Sequence, residues 1–225
     1  MIYCFNTRLL FFSSVKIITS HTILWLLMNI LTIKFPFIEG IKPLLENISL
    51  YLSKAFYHII NTDKGGDDLE IKIEHSSNAK VIHKIMSKAY AEYINDPAPS
   101  SALSETVSSI NNALLDGQKA LIGSIAGQPI ACVRYLINEH GLYFFRMSVL
   151  PTMQGLGIAK QLLLALEGIA RDSGVHTINC KVRVSVLRNL QLYQSKGYAI
   201  YNQQVVEADN GTKIDIVTMT KTISN

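Results

Sequence analysis

The sequence predicts an α/β (α+β) domain with a mixed central sheet flanked by helices, preceded by an apolar helical extension. Three observations carry this. Segments of period-2 and helical periodicity follow one another in the order strand, two helices, three strands, helix, strand, helix, two strands. Turn signals separate them, Gly127-Gln128 and Asn210-Gly211 the clearest. Charge is scarce early in the chain and ordinary later: residues 1–60 hold only Arg8, Lys16, Lys34, Glu39, Lys42, Glu46 and Lys54, within an overall charged fraction of 17%.

The most apolar stretch, residues 17–33 (IITSHTILWLLMNILTI), lacks Asp, Glu, Lys and Arg and has the length of a short membrane span. Residues 41–60 then place Ile41, Leu44, Leu45, Ile48, Leu52, Phe56 and Ile59 on one helix face, with Pro43 in the first turn. Such an amphipathic helix lies on a membrane surface or packs on protein. Three origins are open for residues 1–60: membrane association through residues 17–60, packing on a partner or on the chain's own domain, or a true start at Met28 or later. Polar residues 61–68 read as a linker, and the globular domain is expected over residues 69–225.

Within that domain, residues 69–75 alternate as a strand. Residues 78–94 carry Val81, Ile82, Ile85, Met86, Ala89 and Tyr93 at helical spacing, with Asn78 as N-cap. Asp96-Pro97-Ala98-Pro99 breaks that helix, and residues 100–115 read as a second. A hairpin turning at Gly127-Gln128 leads to a third strand, residues 141–149 (GLYFFRMSV). A Gly-bearing loop and a leucine-rich helix follow, then a strand near 176–182 and a short helix near 185–197. Two strands around Asn210-Gly211 close the chain.

The net charge of +4 and the lack of basic runs with interleaved aromatics speak against a nucleic-acid partner. Cys4, Cys132 and Cys180 are odd in number and lie far apart. With no Cys/His pair at ligand spacing, no metal is expected, and the chain reads as one for a reducing compartment.

The loop Gln154-Gly155-Leu156-Gly157-Ile158-Ala159 decides the chemistry. A nucleotide P-loop needs Gly-Lys-Ser/Thr, but Ile158 follows Gly157. A dinucleotide fingerprint needs Gly or Ala three residues after its second glycine, where Lys160 stands. What is left is a turn that aims amides at an anion, with the helix dipole behind them, or glycines that only shape a turn.

Gln154-x-x-Gly157-x-Ala159, after a strand ending at Val149 and Pro151, resembles the Gln/Arg-x-x-Gly-x-Gly/Ala motif of the GNAT superfamily of N-acetyltransferases. The segment holding Asn189, Tyr193 and Gly197-Tyr198 resembles that family's second motif. The resemblance spans Leu69 to Ile223.

It implies the GNAT fold, acetyl-CoA as co-substrate and transfer to the amine of a small molecule or peptide in a ternary complex. The catalytic domain would face the cytoplasm, and a homodimer stays open. By resemblance, a bulge in the stretch 146–149 (RMSV) splays this strand from the next one, and Met147, Ser148 and Val149 hold the pantetheine arm. Gln154, Gly155, Leu156, Gly157, Ile158, Ala159 and Lys160 hold the pyrophosphate. Asn189 also contacts the cofactor, and Tyr193 protonates the departing thiolate. Lys160, Arg188 and Lys196 are candidates for the 3′-phosphate. Many relatives carry a glutamate base in the fourth strand; this strand has none, and Glu139 and His140 just before it are the nearest candidates. The rival reading is a degenerate member that binds CoA without turnover, as a sensor or membrane-attached module.

Overall fold

A computed structural model describes residues 71–208 and 210–224. The expected segments at 17–33 and 41–60, and the linker 61–68, lie outside the described residues. Among the described residues no helix is long and apolar enough to cross a membrane.

Seven strands form one sheet in the order β1-β2-β3-β4-β5-β7-β6. They are β1 (Lys72–His75), β2 (Lys119–Ile125), β3 (Gln128–Asn138), β4 (Gly141–Val149), β5 (Thr177–Arg183), β6 (Ala199–Glu207) and β7 (Lys213–Thr222). Among the described residues four α-helices accompany the sheet: α1 (Ala79–Tyr90), α2 (Val107–Leu115), α3 (Ile158–Asp172) and α4 (Leu187–Gln194). The expected element order is the observed one. Every neighbouring pair is antiparallel except β4 and β5.

Helix α1 starts where Asn78 accepts the Val81 amide, and Ile82, Ile85, Met86 and Ala89 are buried at i, i+3, i+4 and i+7. Its last expected residues instead form a 3-10 turn, Ala91–Tyr93. The second helix also starts later than expected, at Val107. Ser100 caps a separate short turn, Ser101–Leu103, and Thr106 with Ser109 forms a capping box. Hydroxyl side chains bond nearby backbone in preference to filling a helix interior, so this serine-rich stretch supplies caps. The β2–β3 turn lies one residue before the expected position: Ala126 and Gly127 both have positive φ, the signature of a two-residue type I′ loop.

The core fills both sides of the sheet. Helix α3 buries Ile158, Leu162, Leu163, Leu166 and Ala170, while Tyr135 and Phe144 are the largest side chains fully enclosed. Burying each such leucine contributes about 2 kcal/mol.

Strands β4 and β5 pair only at Leu142↔Ile178 and Tyr143↔Asn179, then part company. Gly141 sits at the joined end with φ 110°, where a Cβ would meet Thr177 Oγ1 at 2.2 Å and its carbonyl oxygen at 2.4 Å. Only glycine lets the two strands approach that closely. The paired end is fixed, and beyond it the sheet opens into a V.

Candidate functional site

Strand β4 changes direction inside the V. Phe145 opposes Arg134 and Ser148 opposes Cys132, so Arg146 and Met147 together face the single residue Val133. This is a β-bulge, and Arg146 adopts φ 54°, the left-handed region. That conformation costs a non-glycine residue about 1–2 kcal/mol, so its surroundings must hold it.

They do. Arg146 Nε donates to Glu105 at 2.7 Å and its Nη2 donates to Ser101 at 3.0 Å, while the Ser148 hydroxyl donates to the Arg146 carbonyl at 3.0 Å. Glu105 also accepts from the buried Arg134, which bonds Gln118 and lies over the Phe145 ring. Sequence reasoning missed Glu105 and Arg134. They lie far apart in the chain, and no periodicity joins a loop acid to a strand arginine.

The Leu150 amide donates to Ile130 on β3 at 2.9 Å. Strand alternation therefore turns the Val149 amide toward the open side of the V, where β5 no longer pairs. The Val149 carbonyl accepts from the Gln154 side chain at 3.3 Å, which ties the following loop back to the strand.

In that loop Gly155 and Gly157 have φ 82° and 77°, and a Cβ at either would meet nothing within 4 Å. Backbone conformation, not crowding, demands glycine here, and the space beside both stays open. Gly157 is the N-cap of α3 and supplies no side-chain cap. The first amides of α3, those of Ile158, Ala159 and Lys160, therefore meet the open space with the helix dipole behind them. An anion of pyrophosphate size and charge fits these residues.

One cleft of about 680 Å³ collects these groups. Met147, Ser148, Val149, Gln154, Gly155, Gly157, Ile158, Ala159 and Lys160 line it from β4 and the loop, and Asn189 and Tyr193 from α4. Leu156 stands outside the lining. Of the phosphate candidates, Lys160 lines the cleft and Lys196 does not. Arg188 lines it, but its guanidinium is engaged by both oxygens of Glu92 and by the Tyr93 hydroxyl. Glu139 and His140 lie 3.5 Å apart on the exposed β3–β4 turn. That turn precedes β4, about 27 Å of strand before Val149, and neither residue lines the cleft.

Tyr193 is buried edge-on against Phe144, their ring centroids 5.5 Å apart, with Tyr198 at 5.9 Å. Burial pushes its phenol well above the ordinary value, and the neighbouring Cys180 and tyrosines add to the effect. Cys180 also lines the cleft, where burial pushes its thiol up to about 12. Tyr198 is likewise raised by burial, and its hydroxyl has no partner among the described residues.

Two parallel strands opened into a V, a bulge at the opening, an amide-lined helix start and a phenol on a short helix meet in one cleft, whose helix-start rim suits an anion. Residues 82–198 match the acetyltransferase (GNAT) family, and the chain belongs to that family and is an acyltransferase. No curated protein matches the chain. Among solved structures it is similar to the ribosomal-protein-S18-alanine N-acetyltransferase of Escherichia coli, at 18% identity and TM-score 0.57, covering 69% of this chain and 96% of that one. An N-acetyltransferase of Staphylococcus aureus Mu50 gives 14% identity and TM-score 0.58, covering 69% and 99%. The yncA protein of Salmonella typhimurium, solved with its cofactor acetyl-CoA, gives 17% identity and TM-score 0.54, covering 69% and 95%. At these identities the likeness is one of fold.

Proposed function

We propose that the chain transfers an acetyl group from acetyl-CoA directly to an amine while both are bound. The V between β4 and β5, with the α3 amides at its rim, is the observation that carries this reading. The first amides of α3 and the Gly155–Gly157 turn hold the pyrophosphate, and Lys160 adds positive charge beside it. The Val149 amide bonds the pantetheine arm, and the bulge at Arg146–Met147 turns neighbouring backbone toward the thioester carbonyl, where charge develops. Acetyl-CoA supplies an acetyl group already activated as a thioester. A nitrogen–carbon bond forms as the carbon–sulfur bond breaks; the amine gives up one proton, and the departing sulfur receives one.

Tyr193 serves that sulfur. Its raised pKa keeps the phenol protonated at neutral pH but makes it a weak acid, so its contribution is a hydrogen bond that strengthens as sulfur becomes negative. Direct transfer is favoured over an acetyl-enzyme because Cys180, the thiol lining the cleft, has a pKa of about 12 and forms almost no thiolate at neutral pH. The carboxylate lining the cleft, Glu92, is held by Arg188. The amine is therefore expected to arrive neutral or lose its proton to water, and holding amine and thioester in line supplies most of the acceleration.

Acetyl-CoA at 100 times its dissociation constant should stabilise the full chain by about 2.7 kcal/mol, read as a raised melting temperature. Gly157→Asp should remove that rise, because it sets a carboxylate among the amides. Equal stabilisation of both proteins would contradict the assignment of the loop.

A further inference from the structure

Three guanidiniums lining the cleft converge on one connection, the residues between α1 and α2. Arg188 bonds Glu92, Arg146 bonds Ser101 and Glu105, and Arg183 at the end of β5 donates to the carbonyls of Ala98 and Pro99. The charge there is not balanced. Glu92 is matched by Arg188, and Glu105 is shared between Arg146 and the buried Arg134. Four guanidiniums thus face two carboxylates, and Arg183 pairs with no carboxylate among the described residues. Asp96, on the same connection, neither lines the cleft nor pairs with any of them among the described residues. Lys181, also lining the cleft, adds to the positive surplus.

This wall is distinct from the one the cofactor's phosphates would use. The anion-binding amides begin α3, after β4, whereas Arg183 ends β5, the other arm of the V, and is anchored to the α1–α2 connection. The wall is also held in place. Asn210 and Thr212 both donate to the Pro97 carbonyl, at 2.7 and 3.3 Å, so three successive carbonyls, Pro97, Ala98 and Pro99, are fixed by side chains. A rigid cationic wall beside the reacting centre repels a polycation and attracts an anion with little reorganisation.

We infer that the acceptor is a small amine carrying a carboxylate, of the amino-acid class, with Arg183 receiving that carboxylate. This rests on the proposed acetyl transfer and narrows it: polyamines and other polycationic amines are disfavoured by the same charge.

The test compares matched acceptors with the full chain: free amino acids, their carboxamides and a set of polyamines, with turnover read as free CoA thiol and acetyl-CoA affinity read separately by calorimetry. The free acids should exceed their carboxamides in kcat/KM by about tenfold or more, the scale of a charge-assisted hydrogen bond. Arg183→Gln keeps one donor for the loop carbonyls but loses the charge, and should erase that preference with acetyl-CoA affinity unchanged. Arg183→Lys keeps the charge and should retain part of it. Preference for carboxamides or polyamines overturns the inference while leaving acetyl transfer standing. So does an Arg183→Gln variant that loses affinity for acetyl-CoA, since the arginine would then serve the cofactor. Acetylation of no member of any arm, by protein that binds acetyl-CoA, contradicts the enzymatic reading itself and the inference with it.

Discussion

Burial acts on Tyr193 in two opposed ways. It fixes the ring between Phe144 and Tyr198, and it raises the phenol's pKa, which weakens it as an acid while guaranteeing that it stays protonated. Tyr193→Phe should therefore lower kcat by roughly 10²-fold and leave the acetyl-CoA dissociation constant nearly unchanged. The sign of the pH dependence follows. A group that works protonated, with its pKa raised above 10, gives full activity below that value and loses it only as pH rises through it. The wild-type profile should show no falling alkaline limb before pH 10, after allowance for unfolding, and should rise with the acceptor amine's own ionisation. Equal kcat in the two proteins would reduce Tyr193 to a packing residue. The sequence pointed to this tyrosine through its spacing to Asn189 and Gly197. It could not show the burial, because Phe144 lies on a strand forty-nine residues earlier.

At the scale of elements, the opening of β4 from β5 depends on what happens at its closed end. Gly141 and Gly157 both have positive φ, yet they answer to different constraints. Gly157→Ala meets open space and should cost only the conformational strain, about 1–2 kcal/mol. Gly141→Ala drives a Cβ into Thr177 backbone and should cost about 3 kcal/mol or more, since the paired ends must separate. Urea unfolding of both variants checks the order, and equal losses would mean that the junction is not a fixed pivot.

Much of the element order was legible in the sequence, because periodicity and caps such as Asn78 are local. The misplacements were local too. The stretch from Ser100 to Thr106 reads as helical by spacing, but Ser100 caps a separate short turn and Thr106 caps α2. The β2–β3 turn puts Ala126 in a left-handed conformation that composition gives no reason to expect. A bulge within residues 146–149 was implied by the family resemblance alone, and what holds Arg146 in it was the least legible feature. It depends on Glu105 and Ser101, which the fold alone brings to β4.

The whole molecule carries several buried acids in their neutral forms. Burial pushes Cys132 and Cys180 from 9.0 up to about 12, and Tyr90 from 10.0 up to about 12. For a group whose folded pKa is raised, stability is fully present below the unfolded value and is lost as pH rises through the folded one. Above pH 9 the unfolded chain gives up protons that the native chain retains, so unfolding is favoured increasingly from about pH 9 to about pH 12. The urea midpoint should be flat from about pH 7 to 8.5 and fall above 9. A midpoint unchanged to pH 11 would show that these groups are not buried as described.

If the V between β4 and β5 works as a transferase site, and not only as a place where CoA binds, thiol release must depend on an amine. The most direct measurement supplies the full chain with acetyl-CoA and a broad amine panel, following free CoA thiol together with the mass of the acceptor. The predicted result is amine-dependent release of one thiol for each acceptor that gains an acetyl group. Saturable acetyl-CoA binding with thiol release no faster with any amine than with none would contradict it.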